Sequence, residues 1–176
     1  MLDSLEMDKP ARLVRSVGLA WGMGLFALGC STGDDGDNGD DDGGNDVTIT
    51  DAPLTGTVGG QGWTVARAET DAFLSEGEPD YWTELYASPG TACESSGLDD
   101  GHHLILQAPR QPGEYPLSLS YNATFVIVGE ITDNLVATTG RIVIDEVTSS
   151  VIRGGAYLRY DVDNTVNGRF EITICP

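Results

Sequence analysis

The chain has 176 residues, with nine Lys and Arg against 28 Asp and Glu, for a formal net charge of −19. So acidic a composition lacks the basic footprint of a nucleic-acid binder and disfavours docking to acidic partners. The length allows one domain with its own core beside flanking segments.

Residues 1–15 are polar and hold Lys9, Arg12 and Arg15. Residues 17–28 are apolar, interrupted only by glycines. Twelve residues are too few for a spanning helix, which needs roughly 20. A basic head, a short apolar body and a small residue before a cut make a secretory signal over residues 1–29. Asp3, Glu6 and Asp8 dilute the basic head, and a start at Met7 would remove two of them.

The signal ends in Ala27-Leu28-Gly29-Cys30. This resembles the lipobox of bacterial lipoproteins: Gly29 and Cys30 match, while Ala27 stands where Leu is usual. The resemblance implies that Cys30 is acylated and becomes the new N-terminus, with the lipid bilayer as its partner. Each buried methylene contributes ~0.8 kcal/mol, so several acyl chains hold firmly. Ser31 after the Cys implies an outer-membrane address, with the domain facing the periplasm or the cell surface. The alternative is an ordinary cleaved signal with a stray cysteine.

Residues 31–46 contain seven Asp, five Gly and no basic or apolar side chain. Such a stretch cannot bury enough to offset backbone ordering, and its charges repel, so the composition predicts an extended, disordered tether over residues 30–46. Asp35, Asp37 and Asp40 have a faint EF-loop look, but Gly39 sits one place early and no helix flanks it. With Cys30 lipidated, Cys93 and Cys175 remain, and an exported pair reads as one disulfide.

Residues 47–176 carry six Arg against 18 acids. Helical periodicity is nearly absent. Short apolar or alternating runs separated by Gly, Pro, Asn and Asp predict an all-β domain. Strands are expected over 54–58, 63–74, 81–87, 102–108, 115–121 and 123–128, with turns at 59–62, 109–113 and 129–134. The strand over 123–128 is expected to be central. Pro116 marks its strand as an edge or a late start. Residues 88–101 form the longest loop. The last forty residues repeat: strands opened by Gly140, Gly154 and Gly168 begin fourteen residues apart. Their alternating apolar positions predict a one-sided antiparallel meander. About nine strands suggest a single antiparallel β-sandwich or an up-and-down β-barrel. The opening Gly56-Thr-Val-Gly59-Gly60 with Trp63, and the closing Gly168-x-Phe170 with Cys175, resemble lipoproteins of myxobacterial type. That resemblance implies no activity.

On the third strand Trp82, Glu84 and Tyr86 share one face. If that face is open, two rings and a carboxylate make a sugar-stacking surface; otherwise the rings are core. Asp99, Asp100, His102 and His103 are the local cluster of ligand-type side chains. Adjacent strand residues point to opposite faces, so a weak metal site would use one His, such as His102, with Asp99 or Asp100. The bland reading is a polar strand start. Asp161, Asp163 and Asn164 read as a hairpin turn. No Gly-x-Ser-x-Gly elbow or HExxH helix is present. The sequence therefore predicts a non-enzymatic, anchored cell-envelope protein with no cofactor, whose β-domain contacts an unidentified envelope or extracellular ligand. The alternatives are a barrel-type carrier of a small apolar ligand and an envelope hydrolase.

Overall fold

A computed structural model describes residues 47–94 and 101–176. These belong to one compact unit, Asp40–Pro176. Cys30 and the acidic tether lie outside the described residues. The described chain is all-β: β1 (Thr55–Val58), β2 (Gln61–Thr64), β3 (Arg67–Asp71), β4 (Asp80–Tyr86), β5 (His103–Pro109), β6 (Gly113–Pro116), β7 (Ala123–Ile127), β8 (Asp133–Val136), β9 (Thr139–Val147), β10 (Val151–Arg159) and β11 (Thr165–Cys175). Nine strands run in one curled sheet in the order β6-β9-β10-β11-β3-β4-β5-β7-β8, and the β1–β2 hairpin branches from β11.

The three glycine-opened repeats become β9, β10 and β11, paired antiparallel as a meander. Their alternation sorts the side chains: Ile142, Ile144, Ile152, Ala156, Leu158, Val166, Phe170, Ile172 and Ile174 are buried. A one-residue bulge skips Asp145 where β9 passes Arg153 and Gly154. The extra residue shifts the period, so Val147 packs on the core while Asp145 and Glu146 both face out. Asp145 meets Arg169 at 2.9 Å and Glu146 meets Arg153 at 2.6 Å. Gly168 has φ +144°, and a Cβ there would strike the carbonyls of Ala52 and Pro53. The segment before β1 hydrogen-bonds along β11 at this point, Leu54 N–H to Arg169 O at 2.7 Å and Arg169 N–H to Ala52 O at 2.8 Å. The glycine is a place of close backbone approach.

β11 also pairs with β3, in parallel, through Thr173–Glu69, Ile174–Thr70 and Cys175–Asp71. The sheet is therefore mixed rather than purely antiparallel. This short junction ties the C-terminal meander to the strands before it, and the Cys93–Cys175 disulfide lies beside it with Cα atoms 5.4 Å apart. Closing an 82-residue span is worth about 4 kcal/mol in chain-entropy models.

One cluster fills the concave side, with Leu54, Leu85, Leu104, Leu106 and Phe125 among its fully buried members. Each such side chain contributes about 1.5–3 kcal/mol on leaving water. Trp63 joins it and donates its indole N–H to the His102 carbonyl at 3.1 Å. The strand expected over 63–74 is broken: β2 ends at Thr64 and β3 begins at Arg67, because the chain leaves the hairpin to enter the main sheet. The turn expected over 59–62 narrows to Gly59 and Gly60, both at positive φ as a two-residue hairpin requires. Asp133 and Asn134, expected in a turn, open the edge strand β8. β7 therefore lies one strand in from the edge. β6 is the opposite edge and, instead of running over 115–121, starts at Gly113 and ends at Pro116.

Candidate functional site

The alternation of β4 decides which side chains reach the convex face. Thr83 and Leu85 are fully buried inward, while Trp82 is 52% exposed. Trp82, Glu84 and Tyr86 thus lie on the outward side. Trp82 is held by its backbone: its N–H donates to Ser75 Oγ at 3.2 Å, and its carbonyl accepts the Thr70 hydroxyl at 2.7 Å. The indole stands on a fixed frame.

Tyr86 is only 6% exposed yet lies outside the core cluster. Its burial comes from outward neighbours. The Arg67 guanidinium sits over its ring at 4.4 Å, and the His103 ring lies 5.2 Å away at a 38° tilt. Its hydroxyl donates to Glu84 Oε2. Val126, opposite His103 in the β5–β7 register, is likewise buried but outside the core cluster. Tyr86 and Val126 therefore floor a groove of about 930 Å³ on the convex face. Trp82, Leu74 and Val128 give it apolar lining, and Cys93 and Cys175 also line it.

Register places Glu69 of β3 directly opposite Glu84 of β4 in this groove. Glu69 Oε2 accepts the Cys93 N–H at 2.8 Å, and its Oε1 lies 3.9 Å from Arg67 Nε. Asp71 Oδ1 accepts the N–H groups of Phe73 and Leu74 at 2.8 and 3.3 Å, which positions the loop carrying Leu74. Reading β4 alone finds Trp82, Glu84 and Tyr86 but misses Glu69, Asp71, His103 and Val126. Alternation along β3 around inward Ala68 could have flagged Glu69 and Asp71.

The two histidines diverge. His103 lines the groove, with Nδ1 3.0 Å from the Gly101 carbonyl. His102 Nδ1 accepts the Val128 N–H at 3.1 Å, and its ring abuts Gly59. Asp99 and Asp100 lie outside the described residues. Among the described residues no three metal-type side chains converge. The turn residues Asp161, Asp163 and Asn164 bind one another and the hairpin before β2: Asp161 Oδ1 accepts from Asp163 N and Asn164 Nδ2, and Asn164 Oδ1 accepts from Gly59 N. Compared with known families, curated proteins and solved structures, the chain finds no match.

Proposed function

We propose that this chain is an outer-membrane-anchored envelope lipoprotein. Residues 1–29 act as the export signal, Cys30 carries the acyl chains, the acidic tether stands the domain off the bilayer, and the β-domain binds a ligand without transforming it. The observation behind the binding role is the exposed, backbone-clamped Trp82 beside Glu84 and Tyr86 in a groove of ligand size. A concave side packed with Leu85, Leu104, Leu106 and Phe125 speaks against the small-ligand carrier with an internal cavity.

One observation favours the hydrolase as second reading: His103, Glu69 and Glu84 line the same groove. Native mass spectrometry of the oxidised chain against a metabolite and glycan extract tests the binding role. A retained adduct lost in Trp82→Ala supports it, and turnover of an extract component by the parent but not by His103→Ala moves the case to the hydrolase. For the anchor, the membrane fraction of expressing cells is expected to hold the parent and to lose Cys30→Ser. Equal release of both overturns lipidation.

A further inference from the structure

The groove is acidic. On the convex face of β9 to β11, Arg141, Arg153 and Arg169 each meet an acid: Glu114 at 3.3 Å, Glu146 and Glu171 at 2.6 and 2.8 Å, and Asp145 at 2.9 Å. The groove lining holds Glu69, Asp71, Glu84 and Glu94 and, among the described residues, no Lys or Arg. Like charges directly opposite on paired strands are destabilising, and Glu69 and Glu84 are such a pair. Arg67, over the Tyr86 ring, approaches Glu69 to 3.9 Å. Beside these carboxylates stands the Trp82 indole, the aromatic face best suited to a cation.

We infer that the groove takes a small organic cation, an amine or guanidinium borne on an apolar body, with the charge between Glu69 and Glu84 and the body against Trp82, Leu74 and Val128. The inference rests on the reading of this groove as a binding site and names its ligand class. The cation would relieve the Glu69–Glu84 repulsion on binding, so its attraction is larger than a single ion pair at a neutralised surface gives. A neutral sugar would stack on Trp82 but leave that repulsion in place. An anion would add to it.

The test uses three probes with one body: 2-phenylethylamine, 2-phenylethanol and 3-phenylpropionate, with maltotriose as the sugar. Binding is followed by amide chemical shifts of the isotope-labelled full chain with its disulfide intact. The amine is expected to shift Trp82, Glu84 and His103 and to bind at least about tenfold more tightly than the alcohol. Added salt should weaken it, and the propionate should not bind. Glu84→Gln should reduce amine affinity severalfold and leave the alcohol unchanged. Equal binding of amine and alcohol, or preference for maltotriose, overturns the cation while leaving the groove a binding site. Groove resonances unmoved by every probe overturn both readings.

Discussion

Glu69 and Glu84 face each other across the β3–β4 pair, each accepting a hydrogen bond from a neighbour, the Cys93 amide for one and the Tyr86 hydroxyl for the other. Like charges directly opposite on paired strands are destabilising. Replacing Glu84 by Gln keeps an acceptor for the tyrosine and removes the repulsion. Glu84→Gln is expected to stabilise the protein by about 0.5 kcal/mol, read from urea unfolding midpoints. An unchanged or lower midpoint would show that the two carboxylates do not repel appreciably.

Leu85 and Trp82 sit on opposite faces of one strand and should separate stability from binding. Leu85 is fully buried, so Leu85→Ala is expected to cost about 3 kcal/mol. Trp82 is half-exposed and its backbone is clamped independently of its ring, so Trp82→Ala should cost under about 1 kcal/mol. Denaturation of both variants checks this, and a large loss at Trp82 would place the indole in the fold rather than in a site.

Gly168 and Gly62 offer a second contrast. An alanine at Gly168 would combine an unfavourable φ with collisions against the backbone of residues 52–54, and Gly168→Ala is expected to cost about 3 kcal/mol. A Cβ on Gly62 meets nothing within 4 Å, so Gly62→Ala should lie within about 0.5 kcal/mol of the parent. Thermal or urea unfolding distinguishes the two.

Asp80 contributes a pH dependence to stability. Burial raises its carboxyl above the ordinary 3.8; its own backbone amide lowers it, Glu78 raises it further and Arg110 lowers it. The folded protein therefore keeps this proton to higher pH than the unfolded chain does. The group opposes folding once both states are ionised, and that opposition fades as pH falls through the folded value towards 3.8. Asp80→Asn is expected to be the more stable at pH 7, with the gap closing in acid. Urea midpoints at both ends of that window check it, and a gap that widens in acid would reverse the sign.

The amino-acid sequence by itself determined the all-β class, the β9–β11 meander and that Trp82, Glu84 and Tyr86 share one face of β4. Each is written locally, as period-two alternation punctuated by glycine. The Cys93–Cys175 bond matches the pairing expected from reading the chain as exported with Cys30 acylated. Tertiary structure alone decided the parallel β11–β3 junction and the groove. Glu69, Glu84, His103 and Val126 come from four strands, and the pairing of distant strands depends on which edges meet once the core closes. The bulge at Asp145 and the break between β2 and β3 escaped the sequence for the same reason. Both are set by where a strand must bend to follow its partner, and neither changes the local alternation enough to be read without that partner.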